Sequence, residues 1–312
     1  MAPQFRAAVV QAAALPQDAL ASARKAAALV REAAANGARL IVFPEAFLGG
    51  YPKGASFGTP VGMRKPQGRE DYRRYHAAAI ALDGPEVELL AEAVRETDAF
   101  VVIGVIERDG GTVYCTALFF DGAKGLVAKH RKLMPTGAER LIWGFGDGST
   151  LPVIETALGR IGAVICWENY MPMLRMAMYD QGITLYCAPT ADDRDSWAST
   201  MRHIALEGRC FVLSACQYIT RGAYPADYDC ALGDDPATVL LRGGSMIVAP
   251  LGAVLAGPFF DGETILYADI DPDEGVRGKY DFDVVGHYAR PDIFTLNVNV
   301  APQQAVKRQG AR

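Results

Sequence analysis

The fold class predicted by this 312-residue chain is a layered α/β sandwich, with helices covering stacked mixed sheets. Short apolar, β-branched segments recur from the start of the chain to about residue 270, too many for one helix bundle. Helical segments separate some of these strands, whereas Gly-containing turns join others directly. Half of the residues are hydrophobic and 21% are charged, which suits one sizeable core rather than a disordered chain. A sheet covered by helices on one side keeps its other face apolar, so two such sheets stack.

The elements follow in order. Phe5 to Gln11 alternates into a strand, and alanine-rich helical periodicity runs from Ala19 to Ala35 until Asn36-Gly37 ends it. A second strand, Arg39 to Phe43, stops at Pro44, immediately before Glu45. Leu48 to Arg69 is rich in Gly and Pro and reads as a loop over a site. A charged helix comes next, then another over Glu86 to Glu96. Strands recur at Phe100–Glu107, Thr112–Phe120 and Leu126–Arg131, divided by Asp109-Gly110-Gly111 and Asp121-Gly122, and read as antiparallel neighbours. A polar loop extends to Ser149, before strands at Pro152–Glu155 and Ile161–Ile165, a helix after Asn169 and a strand at Ile183–Ala188. A helix over Trp197–Arg209, a strand over Val212–Gln217 and a polar loop over Tyr218–Leu241 come next. SMIVAP and GAVLAG form a hairpin through Pro250-Leu251-Gly252, and Thr264–Ile270 is the last strand. A short helix and a tail, from about residue 288, complete a single domain without repeats or linkers.

Bulk properties exclude several functions. A net charge of −5 gives no basic surface for nucleic acid. No apolar run is long enough to cross a bilayer, and the start lacks the features of a secretion signal, so a cytoplasmic location is expected. Six cysteines without CxxC spacing, beside only four histidines, speak against a disulfide scaffold and a zinc site. Neither GxGxxG after the first strand nor GxxxxGK[ST] is present, so no nucleotide cofactor is expected.

Three residues stand where a strand gives way to a loop. Glu45 follows LIVFP among apolar neighbours that would raise its pKa toward a proton-accepting role. Lys132 closes the strand-like KHRK before Pro135, and Cys166 leaves the apolar IGAVI for the polar WEN. Strand ends of an α/β sheet gather at one edge and build its ligand crevice. A free thiol of pKa ~8.5 is only a few per cent ionised at neutral pH, so a nucleophilic cysteine needs a base or cation nearby. A helix N-terminus capped by Asn169, with Pro172 in its first turn, would aim partial positive charge at the thiol and favour thiolate. Cys115, Cys187, Cys210 and Cys216 lie in strand-like apolar segments and read as packing, and Cys230 as a loop residue.

The segments FPEAFLGGYP, HRKLMPTGAERLIWGFGDGS and GAVICWENYMP resemble the three catalytic segments of the nitrilase superfamily of carbon-nitrogen hydrolases. The likeness runs from AAVVQAA near the start to GHYARPDIFTL near the end, and CWENYMP with ERLIWGFGDGS is similar to its true nitrilase branch. The resemblance implies a four-layer αββα sandwich, completed when two subunits pair. It implies Glu45 as general base, Lys132 as the cation beside developing charge, Cys166 as nucleophile and Glu139 as a second glutamate that positions substrate and water. The implied reaction is hydrolysis of a small nitrile to acid and ammonia without metal or cofactor. Amidase, carbamoyl hydrolase and nitrile hydratase chemistry are the nearest alternatives, and a noncatalytic assembly protein the more distant one. Tyr51, Trp143, Trp167, Pro189, Thr190 and Trp197 are candidate substrate contacts, each with loop or core packing as its other explanation. Glu168 and Arg140 are candidates to hold the site's electrostatics, while His130 reads as a strand end meeting solvent. The Met-rich helix MPMLRMAMYD carries more apolar surface than one stripe needs, which suggests a partner face. In the resembled family such helices pair subunits, and insertions near residues 52–70 and 221–240 promote spirals, so a homodimer or larger spiral homo-oligomer is expected.

Overall fold

The computed structural model describes residues 3–306. Its first sheet begins with β1 (Phe5–Gln11), which crosses through α1 (Ala19–Ala35) into β2 (Ala38–Val42). Asp18 caps α1 by accepting from the Ala21 amide at 2.8 Å, and Ala23, Ala26, Ala27, Val30 and Ala33 bury one helical stripe. After β2 come α2 (Pro66–Ala78), α3 (Pro85–Thr97), β3 (Phe100–Asp109), β4 (Thr112–Asp121) and β5 (Gly125–Arg131). The expected loop to Arg69 thus ends earlier, because Pro66 starts α2 in the first-turn position that tolerates a missing amide.

The second half opens with β6 (Val153–Thr156) and β7 (Gly159–Ala163), then α4 (Pro172–Asp180), β8 (Leu185–Thr190), α5 (Asp195–Gly208) and β9 (Phe211–Cys216). It continues with β10 (Tyr218–Thr220), β11 (Val239–Arg242), β12 (Ser245–Val248) and β13 (Val254–Phe259), before β14 (Thr264–Ile270) and α6 (Asp273–Gly278). The polar segment from Tyr218 to Leu241 is therefore not all loop: its ends pair as β10 and β11. Apolar Ile219, Leu240 and Leu241 bury in that small ribbon. The hairpin of β12 and β13 turns where the sequence places it.

Two six-stranded mixed sheets result, in the orders β14-β1-β2-β3-β4-β5 and β13-β12-β9-β8-β7-β6. They share one plan. β1, β2 and β3 are parallel, as are β7, β8 and β9, and antiparallel strands flank both trios. Val9, Leu40, Val42 and Phe119 meet Ile161, Leu185, Cys187 and Leu213 in the core between the sheets. α1 and α3 cover the outer face of the first sheet, while α4 and α5 cover the second. One chain therefore supplies all four layers, which corrects the expectation that two subunits must pair to complete them. The apolar residues of both sheets alternate inward and outward, so each sheet has two faces to bury and finds them within the monomer. Among the described residues no helix is long and apolar enough to cross a membrane.

Candidate active site

The three strand ends converge. Pro44 stops the β2 ladder, and the chain bends over β3, where the Gly104 amide donates to the Pro44 carbonyl at 3.1 Å and the Gly104 carbonyl accepts from Phe47 at 2.7 Å. A side chain at Gly104 would begin 2.4 Å from that Pro44 oxygen, so only glycine admits this crossing. Ala46 adopts φ 53°, which turns the fully buried Glu45 inward. Gln217 holds the Glu45 carbonyl at 3.0 Å.

Lys132 follows β5, whose direction is reversed twice from β3, so it reaches the same edge. Its Nζ donates to Glu45 Oε1 at 2.7 Å and to Glu139 Oε2 at 2.8 Å, both inside the protein. An ammonium has three N–H groups, so one remains for a substrate atom. Glu139 sits on a one-turn 3-10 helix, Gly137–Leu141, where Oε2 also accepts from the Thr136 amide and Oε1 from the Tyr51 hydroxyl at 2.8 Å. Among the described residues Glu45 Oε2 has no hydrogen-bond partner although buried. Cys115 Sγ lies 3.4 Å from Oε1, so the other oxygen alone is left to take a proton.

Cys166 begins a 3-10 turn, Cys166–Tyr170, in the left-handed region at φ 51°. Asn169 fixes this elbow by donating to the carbonyls of Val164 and Cys166 at 2.9 and 2.8 Å. It does not cap α4, which corrects the expected role: a side chain spent on the elbow cannot also serve a helix that starts at Pro172. Thr190, last in β8, donates to the Cys166 sulfur at 3.2 Å. Burial pushes the Cys166 thiol well above its ordinary value, the Glu45 charge pushes it further, and Lys132 and Thr190 only partly oppose them. This direction favours a thiol at rest, against the expectation of a thiolate, because desolvation and the Glu45 charge outweigh Lys132 and Thr190. Burial likewise raises Glu45, partly offset by Lys132. For Lys132 burial is the largest single influence and favours the neutral amine, but the acidic groups around it, Glu45 foremost, together outweigh burial and hold the pKa above the usual lysine range.

Around this centre His130 and Glu168 form a buried pair at 2.9 Å. Glu168 also accepts from the Leu133 and Ile165 amides, at 2.5 and 2.9 Å, and so ties the Lys132 strand to the Cys166 strand. His130 therefore does not meet solvent as expected; its ring is buried between the Thr150 carbonyl and Glu168 on the turn after β7. Arg140 is exposed and bonds its own turn at Gly137, away from the ion network.

A cavity of ≈ 180 Å³ is lined by Cys166, Glu139, Tyr51 and Trp167. Thr190 touches the Cys166 sulfur, its neighbour Pro189 is buried in β8, and neither of these expected substrate contacts lines the cavity. Trp143 and Trp197 do not line this cavity. Trp143 lies behind Lys132, its ring 5.2 Å from Nζ and its indole N–H on Tyr75, and Trp197 packs under the second sheet with its N–H on Ser214. Both are indole rings whose large apolar area and single donor were met inside the core. Sequence reasoning missed Lys53, Thr136 and Ala191 to Arg194 in the cavity wall. ADDRD directly follows a strand, and that placement is the signal that could have found it. Asp192 there takes Trp167 Nε1 at 2.8 Å and pairs with Arg194, whose guanidinium lies 4.9 Å from the Trp167 ring.

An αββα sandwich that holds a cysteine on a strained elbow, beside a lysine shared by two buried carboxylates, is the setting of a hydrolase. The chain belongs to the carbon-nitrogen hydrolase family, whose model matches residues 6–280, and within it stands with the nitrilases. It is 71% identical over 307 residues to nitrilase blr3397 of Bradyrhizobium diazoefficiens, covering 98% of this chain and 96% of that protein. It is 63% identical over 303 residues to an aliphatic nitrilase of Sinorhizobium fredii, covering 97% and 98%. In fold it is similar to Saccharomyces cerevisiae Nit3, with TM-score 0.68 at 21% identity over 91% of this chain and 96% of that one.

Proposed function

We propose that this protein hydrolyses an organic nitrile to the carboxylic acid and ammonia through a thioester on Cys166. The observation that carries the reading is the Lys132 ammonium bonded to both Glu45 and Glu139 while Glu45 Oε2 is left free. Oε2 takes the thiol proton as sulfur adds to the nitrile carbon, so the raised thiol pKa is met by a carboxylate whose own pKa burial has raised. The remaining N–H of Lys132 stabilises the negative nitrogen, which gains a proton to give a thioimidate. Water adds to that carbon, with its proton passing to a carboxylate. The protonated nitrogen then leaves as ammonia and a thioester remains. A second water opens the thioester, releases the acid and returns the proton to sulfur. Expulsion of sulfur in place of ammonia would yield the amide, and ~1.4 kcal/mol between the two exits changes the product ratio tenfold.

The reading needs no metal or organic cofactor. Six free cysteines, five of them buried, favour a cytoplasmic setting. A panel of aliphatic, aromatic and arylaliphatic nitriles, assayed for ammonia, acid and amide, tests the reaction. Acid and ammonia should form in equal amounts and vanish with Cys166→Ala. Turnover of amides without any nitrile turnover would sink the reading.

A further inference from the structure

The nitrile centre leaves one cation of the cavity wall unexplained. Lys53 lines both the catalytic cavity and an adjoining one of ≈ 410 Å³, which runs between the Ser56–Thr59 loop and the Glu139–Ile142 turn. Its backbone is pinned: the Tyr224 hydroxyl donates to the Tyr51 carbonyl at 2.7 Å, Tyr228 to the Lys53 carbonyl at 2.9 Å, and the Ala231 amide to the Gly54 carbonyl at 2.9 Å. The lysine is thereby presented from a fixed loop, half-buried.

The other cations of the wall are paired: Arg194 with Asp192, and Lys132 behind it with Glu139, which also takes Tyr51 and the Thr136 amide, while among the described residues the Asp193 side chain accepts only the Arg242 amide. Among the described residues Lys53 Nζ has neither an ion-pair nor a hydrogen-bond partner. A cation drawn partly out of water and left unpaired costs free energy that an anion arriving with the substrate recovers. Ala55, Phe57, Leu141 and Ile142 supply the apolar wall beyond it, suited to a methylene chain.

We infer that the nitrile carries a carboxylate remote from its C≡N group, and that Lys53 binds this carboxylate and sets the specificity. The inference rests on the nitrilase reading and adds the substrate class. The test compares a terminal cyanobutanoate with the nitrile of the same chain bearing an isopropyl group in place of the carboxylate. Wild type should favour the anionic nitrile in kcat/KM, and that preference should fall as salt is raised. Lys53→Met should cost the anionic nitrile at least tenfold more than the neutral one, mainly through KM, and Lys53→Arg should restore most of the difference. Equal losses on both nitriles, or no preference in wild type, would overturn the assignment. If folded wild type hydrolyses no nitrile, the nitrilase reading falls by itself. Calorimetry of cyanobutanoate binding to Cys166→Ala, with and without Lys53→Met, then still decides Lys53: tenfold weaker binding supports it, and unchanged or undetectable binding to Cys166→Ala overturns it.

Discussion

Lys132 has a double duty that its sequence context hides. In the proposed reaction it supplies charge, and in the structure it neutralises two carboxylates that share one buried site. Lys132→Met leaves Glu45 and Glu139 facing each other, and removal of one member of a buried ion network costs roughly 3–5 kcal/mol. We expect loss of turnover together with a lower Tm at neutral pH, read by ammonia release and thermal unfolding. A variant that keeps its activity would remove Lys132 from the mechanism. Cys115, read as packing, touches the proposed base: its thiol bonds the same Glu45 oxygen as Lys132 and lowers the Glu45 pKa. In the proposed reaction Glu45 must be ionised, so activity should fall as pH drops through that raised pKa. Cys115→Ala should move the acid limb of kcat/KM to higher pH, while Cys115→Ser should keep it near wild type. An unmoved limb in the alanine variant would separate Cys115 from the base.

At the scale of elements, the catalytic edge depends on close backbone crossings. Gly104→Ala places a methyl group 2.4 Å from the Pro44 carbonyl and 2.6 Å from Glu45 Cα, neither of which can rotate away. Strain of about 1–3 kcal/mol is expected, with activity lost beyond what unfolding explains because the base is displaced. Circular dichroism melts beside kcat would show the two effects. His130 and Glu168 join the Lys132 strand to the Cys166 strand, and Glu168 together with a backbone carbonyl raises the His130 pKa against the opposing effect of burial. A raised imidazole pKa stabilises the fold fully below the ordinary histidine value, and that contribution is lost as pH rises through the folded value. The Tm difference between wild type and His130→Leu should accordingly be larger in mild acid and narrow toward alkaline pH. The apolar flanks of HRK do not reveal this pair, since Glu168 arrives from another sheet. The segment ADDRD escaped notice for a similar reason: its charges acquire meaning only where β8 delivers them beside Cys166.

For the whole molecule, the two sheets repeat one topology that no sequence repeat announces. Strand direction and order are set by packing, which many different apolar sequences satisfy equally. Because the monomer completes its own four layers, self-association must use outer surface. Tyr170 and Met173, 42% and 73% exposed beside α4, and Leu206 on α5 offer such a surface, although Met178 of the same helix is fully buried in its own subunit. We propose a homodimer through this face, with larger spirals open to it. Sedimentation at micromolar concentration should give a dimer or larger species, and Met173→Glu should shift it toward monomer. A wild-type protein that sediments as monomer would argue against this face. The arm beyond α6 returns to the molecule, where the Gln303 amide donates to Asp147 Oδ2 at 2.7 Å and Gly148 passes under the Asn299 carbonyl. The GDGS motif thus also holds chain that its own sequence gives no reason to expect.

Sequence alone determined the strand ends that carry Glu45, Lys132 and Cys166, because Pro44, the KHRK boundary and the apolar-to-polar break after Ile165 are local signals. It also determined the helix-covered sheets, since hydrophobic periodicity is a property of neighbours along the chain. Tertiary structure decided which oxygen of Glu45 is free, that the thiol rests protonated, that His130 is enclosed, and that Trp143 and Trp197 belong to the core. Each of these depends on burial and on charges brought together across both sheets, and the desolvation of an ionised group is fixed by what surrounds it in space rather than by what adjoins it in the chain.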